Sequence, residues 1–217
     1  MGKWLRAVLL LAGVWGCECL LFGMCREMPP RPLPPSGNER VGAGYVKDDW
    51  TVWYLGRKVK DASPQSFVDL GDGYGKDDWH VFFRGRIVAD ASASTFVCLG
   101  DGYARDSWKA YFCGKVVEDA SARSFASLGD GYASDDWSVY YCGRKLGSVS
   151  AQSFENLGEG YARDNWKVLY CGREITKASA QSFERLGNGY ARDAWNVWFR
   201  GKLLQGVSPQ QFDPSGW

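Results

Sequence analysis

The side chains able to do chemistry fall into columns. Trp50, Trp79, Trp108, Trp137, Trp166 and Trp195 recur every 29 residues, and each stands two places after an Asp (Asp48, Asp77, Asp106, Asp135, Asp164, Asp193). Repeated Trp and Tyr faces can stack on sugars or cap a cationic ligand. Aromatic columns in units this small also supply stacking core, which is the plainer reading of the same residues. His80 is the only His, and its column otherwise holds Thr51, Lys109, Ser138, Lys167 and Asn196. A nucleophilic or acid–base device needs an imidazole set among supporting partners, and this column shows none. Cys113, Cys142 and Cys171 each precede a Gly and read as small turn residues; a disulfide, with Cys98 as one candidate partner, or a metal or redox role are the alternatives. Asp72, Asp101, Asp130, Glu159 and Asn188 each stand between two Gly. Hard oxygen clusters of this kind can bind Ca²⁺, but the spacing is not that of an EF-hand loop, and turn-forming hydrogen bonds account for it. The expectation is therefore no catalytic residue, no metal and no cofactor. The six Trp are the candidate ligand-binding residues.

What must position these columns is a tandem repeat. The Tyr leader (Tyr45, Tyr74, Tyr103, Tyr132, Tyr161, Tyr190) and a closing Gly (Gly56, Gly85, Gly114, Gly143, Gly172, Gly201) keep the 29-residue step without insertion. After each Trp, a polar place and a small apolar one lead into two large apolar residues, as in Val139-Tyr140-Tyr141. The Gly then reverses the chain, and a basic residue and an aliphatic column follow. This pattern predicts a β-hairpin. Ser63, Ser92, Ser121, Ser150, Ser179 and Ser208 precede Pro or Ala, with Phe four places on; in the first five, Leu follows three further, then Gly (Leu70-Gly71 through Leu186-Gly187). Those residues predict a two-turn helix with a Ser cap and a Gly stop. The acidic column before Trp and the basic column after Gly read as solvated or paired surface ladders.

Residues 1–28 differ in kind. Lys3 and Arg6 precede an apolar run to Gly16, then Cys17 and Cys19, which predicts a signal peptide or membrane anchor with Cys17 as candidate lipid-attachment residue. Residues 29–40 carry five Pro and predict a stiff linker, leaving 41–217 for the array. A net charge of +1 with 24% charged residues gives no electrostatic case for a nucleic-acid partner.

The run Tyr-Ala-x-Asp-x-x-x-Val-Tyr-Tyr-x-Gly-Lys/Arg, followed by Ala-Ser-x-x-Ser-Phe-x-x-Leu-Gly-x-Gly-Tyr, resembles the bacterial DKNYY family from Gly44 to Phe212. The departures are systematic. The family's Lys-Asn is replaced by a variable residue and Trp, as in Asp78-Trp79, and its Asn-Gly turn becomes Cys142-Gly143, Arg84-Gly85 or Leu55-Gly56. The resemblance implies a β-rich envelope protein and carries no assigned activity. The combined expectation is a mainly β protein of six stacked units, each a hairpin or meander plus one short helix, in an open array rather than a closed ring. It would act outside the cytoplasm, tethered to the cell envelope, as a non-catalytic scaffold or protein-binding module, or alternatively as a binder of carbohydrate or cell-wall ligand.

Overall fold

The computed structural model describes residues 39–40 and 44–214. The expected export segment with Cys17, and residues 29–38 of the linker, lie outside the described residues. Among those that are described, no helix is long and apolar enough to cross a membrane.

Six four-stranded antiparallel sheets follow one another in an open row, and each is a meander whose strands lie in chain order. Ala126–Gly129, Tyr132–Ser134, Val139–Tyr141 and Arg144–Leu146 form one of them. Its second and third strands pair Tyr132 with Tyr141 and Ala133 with Tyr140. Cys142 and Gly143 turn the third strand into the fourth with φ of 48° and 75°. Two successive positive φ values are the turn that matches strand twist, and the Gly supplies the second at no steric cost.

Strand runs this small are apolar on both faces because each sheet is covered from both sides. Ala133 and Tyr140 pack with Tyr103, Ala110, Val117 and Phe125 from the preceding stretch of chain. Tyr132 and Val139 pack instead with Ala162 of the following sheet. The core thus lies between units, which is how a unit too small to enclose its own core becomes stable.

The short helix expected in every unit is absent from the described residues. A single 3₁₀ turn, Ala151–Ser153, is the only helical element among them. Elsewhere the Ser-x-x-x segment makes one isolated turn, as where Thr95 N–H donates to Ser92 C=O. The Phe-x-x-Leu-Gly run is then the first strand of the next sheet: buried Phe125 leads directly into Ala126–Gly129. Two turns are too few to repay helix nucleation, whereas the neighbouring strand offers this segment a full ladder. The Phe and Leu spacing belongs to that strand and its bulge before Gly129.

Candidate ligand-binding surface

Each Trp stands at the tip of the hairpin joining the second and third strands of its sheet. Asp135 N–H donates to Ser138 C=O at 3.0 Å, which closes a four-residue turn with Asp136 and Trp137 at its centre. The Asp135 carboxylate fixes the turn from below. Its Oδ1 accepts the N–H groups of Trp137 (2.9 Å) and Ser138 (2.7 Å), and its Oδ2 accepts Ser121 N–H (2.8 Å) and the Tyr140 hydroxyl (2.9 Å). Ser124 Oγ accepts Asp136 N–H from the side. The same set recurs around Asp106 with Ser92, Trp108, Lys109 and Tyr111.

The acidic column is therefore not the solvated ladder its sequence position suggests. Asp77, Asp106, Asp135, Asp164 and Asp193 are buried. Burial alone would push such a carboxyl up, but the hydrogen bonds it accepts prevail and hold Asp106, Asp135 and Asp164 below the ordinary Asp value. The phenol partners move oppositely: burial, then the bond to Asp135, pushes Tyr140 up to about 12. The residue immediately before each Asp, a cation in five of the six units, is equally structural. Lys76 Nζ donates to Ala93 C=O and an Arg163 guanidinium N–H to Ala180 C=O, which ties down the turn that follows each sheet.

The Trp side chains themselves are not stacking core. All six are between 78% and 85% exposed, from Trp50 at one end of the row to Trp195 at the other. The core is made by the Tyr leader, the strand aromatics and the Phe column; Tyr103, Phe125 and Tyr140, for example, stack with ring centroids 5.4–5.6 Å apart. The result is a row of large apolar faces, one per sheet, each on a loop held by its Asp and, after the first, by a Ser or Thr hydroxyl from the preceding segment.

The other candidates sit elsewhere. His80 follows Trp79 in its loop, with Nδ1 3.8 Å from Asp77 Oδ1 and its ring edge-on to Phe82. Cys113, Cys142 and Cys171 occupy the positive-φ place before the turn Gly. Cys98 is a thiol, whereas Cys171 is disulfide-bonded, the alternative that the sequence left open for its column. The carboxylates between two Gly serve the joint between sheets: Asp72 accepts Gly102 N–H at 3.1 Å and Glu159 accepts Gly189 N–H at 2.6 Å. No group of His, Cys, Asp and Glu among the described residues could hold a metal ion. The most informative contacts missed from sequence are those of the second Ser of Ser-x-x-Ser, whose hydroxyl braces the Trp loop of the next sheet in four units, with Thr95 in its place in one. Its regular recurrence was the available signal.

The DKNYY family model matches residues 45–173, more than half of the 217-residue chain. The chain belongs to the DKNYY family. No curated protein and no solved structure matches it. The DKNYY match takes in five of the six Trp loops, Trp50 to Trp166, and places them in a repeat-rich β family to which no activity is assigned.

Proposed function

We propose that this DKNYY protein is a non-catalytic binding module, tethered to the cell envelope through its N-terminal segment, whose recognition surface is the row of six Trp. One observation carries the reading: a residue of the type that proteins most readily bury is held almost fully exposed at the same loop tip in every unit. Fold maintenance does not require it there. The DKNYY core has Asn at that place, a residue better suited to a turn, and Trp buries little in exchange. Duplication alone does not account for it either, because its exposed neighbour has diverged to Asp49, Asp78, Ser107, Asp136, Asn165 and Ala194 while Trp stays fixed.

A uniform row suits a ligand that is itself periodic. A protein partner would meet six different surroundings, whereas a glycan strand presents the same sugar face repeatedly and gains avidity from many weak stacking contacts. That favours the cell-wall glycan over the protein-scaffold reading. The test is co-sedimentation of the full-length protein with insoluble cell-wall glycan, with Trp emission as a second readout. Progressive Trp→Ala replacement at Trp79, Trp108, Trp137 and Trp166 should lower retention stepwise while the melting curve stays put. Retention unaffected by all four changes would refute the Trp surface. Loss of retention after protease treatment of the wall material would transfer the surface to a protein partner.

A further inference from the structure

We infer that the edge of the row formed by the last strand of every sheet is a docking stripe for a linear polyanion of the phosphodiester class. It is separate from the Trp surface: each Trp stands at the tip between the second and third strands, and the stripe begins beyond the turn at the other end of the third strand. Every last strand opens on a cation, Arg57, Arg86, Lys115, Arg144, Arg173 or Lys202. All six are exposed. Each stands opposite the last aromatic of the third strand, as Lys115 opposite Phe112 and Arg173 opposite Tyr170, so they hold the same register in every sheet and line up along the row. No strand pairs with the outer side of these strands.

The fold makes little use of these charges. Arg57, Arg86, Lys115, Arg173 and Lys202 form no ion pair or side-chain hydrogen bond among the described residues. Lys58 and Lys145 add to the stripe, and Glu174, the one acid on these strands, is already engaged by Lys167 at 2.8 Å. Acids at the opposite end of the third strands are buried beneath the Trp loops, and Asp72, Asp130 and Glu159 turn into the joints to accept Gly102, Gly160 and Gly189 N–H. A chain with 26 Lys and Arg against 25 Asp and Glu thus presents one edge of a single sign. The next exposed position on the same strands has drifted freely, through Lys58, Ile87, Val116, Lys145, Glu174 and Leu203, while the first keeps its charge. Arg and Lys exchange there, which suits attraction between point charges and not a fixed guanidinium fork. A stripe one strand wide with a cation at every step matches a polymer with a charge on every monomer, whereas a lipid surface would call for a broad basic face.

Calorimetric titration of the full-length protein, in uncharged detergent, with poly(glycerol phosphate) tests this. The wild type should bind, with an affinity that falls steeply as salt rises. The triple variant Arg86→Gln, Lys115→Gln, Arg173→Gln should bind at least about tenfold more weakly with a shallower salt dependence, at an unchanged melting temperature. A second triple variant, Lys60→Gln, Arg123→Gln, Lys177→Gln, removes the same charge from exposed turns that follow the sheets, and should bind as the wild type does. Trp79→Ala and Trp137→Ala should leave polymer binding unchanged, which keeps this stripe distinct from the glycan surface. No binding of the polymer, or binding that both triple variants weaken alike, would overturn the inference. If only phosphatidylglycerol vesicles told the two triple variants apart, the stripe would belong to a lipid surface and the polymer would be ruled out.

Discussion

The hydroxyl of Tyr132 accepts the N–H of Gly172 at 2.9 Å across 40 residues of chain, and donates to Gly160 C=O at 3.1 Å. A single side chain thus satisfies two backbone groups of the next sheet at once. Tyr132→Phe keeps the ring and its stacking on Tyr141 but leaves both groups without that partner in a buried joint. The expected loss is about 1–3 kcal/mol, read from urea melts of the full-length protein. A change below a few tenths would mean the joint is held by ring packing alone.

Two Trp in the same sheet separate recognition from packing. Trp195 is 78% exposed, whereas Trp198, three residues on, is 1% exposed against Phe183. Trp198→Ala should cost about 3–5 kcal/mol by opening a cavity. Trp195→Ala should stay within about 0.5 kcal/mol of the wild type while reducing glycan retention. Thermal melts and co-sedimentation on the same samples give both readings, and comparable destabilisation by the two variants would return Trp195 to the core.

The buried carboxylates set an acid limit. Asp106, Asp135 and Asp164 are held below their unfolded value near ~3.9. For a depressed carboxyl the stabilisation is complete above the unfolded value and disappears as pH falls through the folded one. Stability should therefore be flat from neutral pH down to about 5 and drop below about 4. In Asp135→Asn the plateau should be lower and the acid loss shallower, because one titrating group has gone and its acceptor set is broken. Far-UV circular dichroism against pH checks the sign; stability that rose on acidification would contradict the assignment.

Ser150 shows what the sequence conceals. Read along the chain, it is a helix cap whose removal would cost about 0.5–2 kcal/mol. In the fold its side chain makes no cap bond, and what matters is its main-chain N–H, which donates to Asp164 Oδ2 at 2.9 Å. Ser150→Ala should therefore be nearly neutral. Ser153→Ala removes the hydroxyl that accepts Asn165 N–H, and should cost about 0.5–1.5 kcal/mol. Urea melts in which Ser150→Ala is the more damaging would restore the cap.

The repeat length, the hairpin around Val139–Tyr141 and its Gly143 turn were legible because they depend on neighbours in sequence. Whether a Trp column faces the core was not legible, since hairpin-tip and mid-strand aromatics recur with the same 29-residue step. Only the turn closed by Asp135 and Ser138 puts Trp137 outside and Tyr140 inside. The Phe-to-Leu spacing misled for a related reason. Three residues fit one helical turn, but they also fit a strand that a bulge at Gly129 shifts by one place.

Because the joint is identical in form from one sheet to the next, whole units should be removable. Deleting 103–131, a span of 29 residues, rejoins Gly102 to Tyr132 in phase. Tyr74 then finds Gly102 C=O as before, and meets Gly143 N–H where Gly114 N–H stood, since the two Gly have φ of 75° and 76°. Phe83 receives Gly143 in place of Gly114, and Gly143 already sits on Phe112, a ring of the same kind. The shortened protein should unfold cooperatively, with one joint fewer and a proportionately smaller denaturant slope. A deletion of 103–117 instead joins Gly102 to Glu118, removes the Asp106 loop, and leaves Tyr74 without the Gly114 N–H it accepts; it should not fold. Cooperative melting of the first and not the second, followed by tyrosine and tryptophan fluorescence, is the expected result. Loss of cooperativity in the in-phase deletion would show that the six sheets carry contacts specific to their place in the row.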